Sequence, residues 1–81
     1  MIGFIMRLFG YEDIRNIIIK RSFKKRPPRE YKLKWRRAYY EKYKNFFVPI
    51  VLCNHNHLID GYTSYLIAKE KGIKYVKVER R

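Results

Sequence analysis

The run Asp60-Gly61-Tyr62-Thr63-Ser64-Tyr65 holds the residues of this chain whose types and spacing could do chemistry. An apolar pair, Leu58-Ile59, leads into Asp60-Gly61, and a helical pattern starts directly after it. A strand that turns through glycine into a helix leaves the N–H groups of the first helical turn unpaired. They face forward at the positive end of the helix dipole. With the hydroxyls of Tyr62, Thr63, Ser64 and Tyr65 beside them, these amides would seat a phosphate, another anion or a partner's loop. Catalysis needs more. Asp60 and Glu70 are the only acids near the turn, with no well-placed histidine and no arginine beside them. Asp60 therefore reads as a helix cap accepting from the amide of Tyr62 or Thr63, and no catalytic residue is assigned.

Cys53, His55 and His57 alternate, which in an extended strand would put three zinc-ligand types on one face. Asn54 and Asn56 between them favour a turn that breaks the alternation, and no fourth ligand is in view. Neither a metal nor any other cofactor is expected. The lone cysteine forms no internal disulfide. The opening nine residues are apolar but interrupted by Arg7 and lack the pattern of a signal peptide. They are less than half the ~20 residues of a membrane span. They read as a short strand or helix covering part of the core, and the expected location is cytoplasmic.

The elements that must position the glycine turn belong to a chain of 81 residues, enough for one small domain. Hydrophobic residues make up 47% and aromatic ones 17%, a composition that excludes a disordered basic tail. Lys and Arg number 20 against 7 Asp and Glu, a net charge of +13. Such self-repulsion is tolerable when the partner is a polyanion: DNA, RNA, a ribonucleoprotein or an acidic membrane surface. The charge is uneven. Residues 20–44 hold twelve Lys or Arg against two Glu.

Within 1–13 an N-terminal extension precedes Ile14 to Ile19, a β-branched run that reads as a strand. Lys24-Lys25-Arg26-Pro27-Pro28 reads as an extended basic connector. Residues 29–45 read as a helix. Tyr31, Trp35, Ala38, Tyr39 and Tyr43 fall on one stripe, which should pack on a sheet. The opposite side, with Arg29, Arg36, Arg37, Lys44, Leu33 and Tyr40, should face outward. The apolar run 46–53 and Leu58-Ile59 form a hairpin around Asn54 to His57. A helix from Gly61 stops at Gly72, Tyr75 to Val78 closes as a strand, and 79–81 frays. Strand, helix, hairpin, helix, strand is an α+β pattern with one small mixed sheet.

This order resembles the N-terminal domain of ParB proteins, the fold shared with sulfiredoxin. The match rests on Ile14 to Ile19, Pro27-Pro28 with the basic helix, Pro49-Ile50-Val51, the box Leu58-Ile59-Asp60-Gly61-Tyr62, then Tyr65, Ala68, Gly72 and Val76-Lys77-Val78. The resemblance covers residues 14–79 and implies one ParB-like domain across 1–81. It also marks a departure. Relatives that bind CTP or act on nucleotides carry arginines or histidines just after the glycine, where this chain has Tyr62, Thr63, Ser64 and Tyr65. Sulfiredoxin chemistry needs a cysteine in that loop, whereas Cys53 lies on the preceding strand.

Charge and resemblance together lead to a non-enzymatic, nucleic-acid-associated domain. Lys24, Lys25, Arg26, Arg29, Lys32, Arg36, Arg37 and Lys44 would grip phosphates, and Tyr40 would touch a base or ribose. The turn Asp60 to Tyr65 would position a phosphate or a partner. Complete ParB proteins carry a helix-turn-helix region after this domain, and this sequence ends at Arg81. The second expectation is therefore a phage- or plasmid-borne inhibitor or adaptor, of anti-defence type, that binds a protein–nucleic-acid machine. A degenerate nucleotide-binding enzyme is the third.

Overall fold

The computed structural model describes residues 2–81. Along the chain lie α1 (Ile2–Leu8), β1 (Tyr11–Asp13), a 3-10 turn (Ile14–Asn16), α2 (Arg21–Lys25) and α3 (Glu30–Tyr43). There follow β2 (Ile50–Leu52), β3 (Leu58–Asp60), α4 (Tyr62–Glu70) and β4 (Tyr75–Arg80). The strands form one sheet in the order β1-β4-β2-β3. β2 and β4 run parallel and the other two pairs antiparallel, so the sheet is the expected small mixed one of an α+β fold.

The hairpin arises where expected. Leu52 pairs with Leu58, and the turn closes with the Cys53 N–H donating to the His57 carbonyl at 3.0 Å. Asn56 takes the left-handed conformation, φ 65°, which asparagine accommodates well. α4 then crosses over the sheet so that β4 can lie parallel to β2, with Ile50 opposite Val78. Its inner face and strands β2, β3 and β4 make the core: Ile50, Leu52, Leu58, Tyr65, Ala68 and Val76, joined by Ile17. Full burial of one such aliphatic side chain contributes about 1.5–3 kcal/mol.

Four readings of the sequence need correction. Ile14 to Ile19 is not a strand. The Asp13 carboxylate accepts the Arg15 N–H at 2.9 Å and its guanidinium at 2.8 and 3.1 Å, which bends the chain into the 3-10 turn. Only Ile18 pairs, in a single parallel bridge to His57. A local side-chain-to-backbone bond has overridden β-propensity. The connector after Lys20 begins as the short α2 and becomes extended only near Pro27. Residues 79 and 80 do not fray, because β4 continues against β2 and Arg80 is anchored at its side chain. Of the opening segment, Ile5, Leu8 and Phe9 stay exposed and do not cover the core, while the side chains of residues 1–4 lie outside the described ones.

That anchor is Glu12, 2% exposed. Its carboxylate accepts from Arg7 Nε (2.9 Å), Arg80 Nη2 (2.8 Å), Asn16 Nδ2 (3.2 Å) and the Asp13 N–H (3.0 Å), so one acid ties α1, β1 and β4 together. Burial alone would raise its pKa, but the bonds from Asn16, Arg7 and the Asp13 amide hold it below the ordinary value. Arg15 likewise lowers Asp13 to about 2, chiefly by its side-chain bonds. Both groups bind protons less readily folded than unfolded. Their stabilisation is complete above the ordinary carboxylate range and fades as pH falls through the depressed folded values. The fold should therefore lose stability from about pH 4.5 down toward pH 2 in a urea-melt series. Glu12→Gln should cost about 2 kcal/mol at pH 7, and the difference from the parent should shrink in acid.

Candidate nucleic-acid interface

The glycine turn is built by close packing. Gly61 sits at φ 86°, and a Cβ there would lie 2.3 Å from the Pro49 carbonyl oxygen and 2.8 Å from the Ile50 Cα. β2 therefore presses on the turn, and only glycine lets β3 pass so abruptly into α4. The Asp60 carboxylate does not cap the helix as expected. It accepts the Gly61 N–H at 2.8 Å, and no side chain caps the first turn of α4. The expected free amides are thus present.

The hydroxyls divide. Ser64 is buried and donates to the Val48 carbonyl at 2.5 Å, and Tyr65 is a core residue, so neither faces the cleft in front of the turn. Asp60, Gly61, Tyr62 and Thr63 do line it. The cleft measures about 250 Å³, and its other walls come from Phe23, Pro28, Val48 and three cations, Arg26, Lys32 and Arg36. The fixed positive charge missing after Gly61 is thus supplied from the end of α2 and the first half of α3. Sequence distance hid this, since about thirty residues separate the cations from the glycine.

α3 lies on α4 by the side expected to face outward. The Arg37 guanidinium reaches Glu70 through Nε at 2.7 Å and Nη2 at 2.8 Å, and Glu30 through Nη1 at 3.2 Å. Glu41 pairs with Lys71 and, at 3.4 Å, with Lys44. Those contacts lower the pKa of Glu70 and Glu41 and raise that of Arg37. Tyr40 stacks on Phe46, ring centres 4.8 Å apart, with the Lys71 ammonium 5.5 Å from its ring centre. Arg37 and Tyr40 thus belong to the joint between the helices, whereas Lys44 stays exposed and pairs with Glu41 on its own helix. The reading that put the Tyr31–Trp35–Tyr43 stripe on the sheet is reversed, because those rings are exposed.

The remaining cations are concentrated. Among the described residues six of the 20 Lys and Arg pair with carboxylates: Arg7, Arg15, Arg37, Lys44, Lys71 and Arg80. Of the other fourteen, ten lie within residues 20–44, including Lys24, Lys25, Arg26, Arg29, Lys32 and Arg36. A second cleft, about 450 Å³, lies between residues 44–50 and β4. It has no helix N-terminus, and its Lys44 is held by Glu41. At the hairpin, Cys53 Sγ accepts the His55 N–H at 3.3 Å. Backbone bonds from His55 and His57 hold its thiol below the usual range. Among the described residues no three metal-ligand side chains come together.

The chain has a ParB-N-like fold, with a cationic cleft at its strand–glycine–helix junction. The comparison with solved structures agrees. The chain superimposes on the C2221 form of a Pnob8-like ParB-N domain with a TM-score of 0.71 and 26% identity over 86% of its length. It spans 28% of that protein's chain. No protein-family model matches, and no curated protein is matched either. Among the described residues no helix is long and apolar enough to cross a membrane.

Proposed function

We propose that this protein is a non-enzymatic nucleic-acid-binding domain that holds the phosphate backbone along α2 and the first half of α3. On this reading one phosphate sits in the cleft at the start of α4. The observation that carries the reading is the sorting of charge. Carboxylates neutralise cations around the sheet and at the α3–α4 joint, while ten cations of residues 20–44 have no such partner among the described residues. Self-repulsion of that kind is offset when the cations neutralise phosphates and displace the counterions condensed on the nucleic acid. In the cleft, three cations face one carboxylate, Asp60, and uncapped amides add the partial positive charge of the helix end. The ParB-N likeness fits a domain that works on nucleic acid, and the absence of a paired acid and base at the turn fits a role without catalysis.

Fluorescence anisotropy with labelled 15-nucleotide DNA and RNA tests it. Arg26→Glu/Lys32→Glu should weaken binding by roughly tenfold or more, because two charge-assisted contacts become repulsive. Lys74→Glu/Lys77→Glu, the same change in net charge on the side of β4, should leave affinity within about twofold. Equal losses in both pairs would mean diffuse attraction and no site.

A further inference from the structure

The outward face of α3 is a ladder of rings. Trp35 and Tyr39 stack with centres 5.9 Å apart, Tyr39 and Tyr43 follow at 4.6 Å, and Phe47 meets Trp35 and Tyr39 edge-on at 5.0 and 5.2 Å. Tyr31 is 72% exposed, Tyr43 55%, and Trp35 and Phe47 52% each. In a chain this small, such a row of wet aromatics has been left out of the core even though core material is scarce. Soluble surfaces rarely keep a contiguous patch of this kind without a use.

The charges on the same face indicate what covers it. At 3.6 residues per turn, Tyr31, Lys32, Trp35, Arg36, Tyr39, Lys42 and Tyr43 share an arc of roughly 140°. The two acids of the helix, Glu30 and Glu41, lie on the other side, held by Arg37, Lys44 and Lys71. Rings and unpaired cations therefore alternate with no carboxylate between them. The Arg36 guanidinium lies 4.8 Å from the Phe47 ring centre and 5.6 Å from that of Trp35, and its buried Nε bonds to nothing among the described residues. Arg36 also lines the cleft at Gly61, so cleft and ladder are one continuous surface.

We infer that this face is a stacking platform for single-stranded nucleic acid. Unpaired bases lie on the rings of Trp35, Tyr39 and Tyr43, while Lys32, Arg36 and Lys42 hold the backbone that leads to the cleft. A duplex cannot use the rings, because its bases already stack on one another, whereas splayed bases of any sequence can. A second copy of the chain is disfavoured as occupant, since it would bring the same unpaired cations to the same patch. The platform rests on the polyanion reading above but makes its own demand: strand state, not only charge, must matter.

Trp35 is the only tryptophan, so the test has a built-in reporter. Fluorescein-labelled dT15, rU15 and a DNA hairpin of equal phosphate count are titrated against the full chain. Tighter binding of dT15 and rU15 than of the hairpin, with quenched Trp35 emission, is the expected result. Trp35→Ala/Tyr39→Ala should lose roughly tenfold or more on the single strands and little on the hairpin, and Trp35→Phe should retain most of the affinity. Circular dichroism should show these exposed-site variants folded. Binding without quenching, or equal losses on single strands and hairpin, overturns the platform and leaves the phosphate-binding reading standing. Failure of all three probes to bind at low salt overturns both. A dimer in sedimentation that Trp35→Ala/Tyr39→Ala dissolves without weakening dT15 binding also overturns the platform.

Discussion

Gly61→Ala should unfold this protein more readily than the same change at the other described glycines, Gly10 and Gly72. The added carbon would lie 2.3 Å from the Pro49 carbonyl oxygen, backbone that cannot swing aside as a side-chain tip can. It would also force an L-residue to φ 86°. The left-handed conformation costs roughly 1–2 kcal/mol and overpacking against a strand a further 1–3 kcal/mol. A loss of about 3 kcal/mol or more follows, which for a domain of this size lowers Tm by about 12 °C or more. Gly72→Ala is the matching control. Gly72 also has a positive φ, 70°, but a Cβ there meets nothing within 4 Å. Its cost should be the conformational part alone, about 1 kcal/mol, in the same thermal melt. If both variants melt together, the tight passage between β2 and the turn is not what fixes the junction.

Binding to duplex DNA should fall by about three orders of magnitude when salt rises from roughly 50 to 200 mM. About six of the ten unpaired cations in residues 20–44 engaging phosphates gives a log–log slope near −5. On single strands each phosphate contributes less, and stacking is not screened, so the slope should be shallower. Anisotropy titrations at four salt concentrations read both slopes. A flat dependence on every nucleic acid would remove the basis for assigning residues 20–44 to phosphate binding.

Much of the fold was legible because it is written locally. Val51 and Leu52 against Leu58, with asparagines between, specify a hairpin through apolar runs and left-handed turn geometry. Gly61 and Gly72 bracket α4 by the conformations they alone take easily. Ile14 to Ile19 misled because propensity is weak beside one well-placed carboxylate, that of Asp13, on the Arg15 amide and guanidinium. The candidate site was legible in part. Asp60-Gly61-Tyr62-Thr63 marked one wall of the proposed anion site, whereas the cations that line the same cleft, Arg26, Lys32 and Arg36, come from a segment whose position depends on tertiary packing.

By itself, the sequence determined that a strand must turn through glycine into a helix, and that the excess charge lies between residues 20 and 44. Periodicity and composition are properties of the chain at short range, and they survive any arrangement of the elements. Only the tertiary structure decided which side of α3 turns inward. Both sides can be buried: one carries rings, the other Leu33, Tyr40 and the aliphatic stems of Arg37 and Lys44. Glu70 and Lys71, at the end of α4, settle it by meeting Arg37 and Glu41 across the helix pair. The aromatic ladder is left in water because of a contact made thirty residues further along the chain.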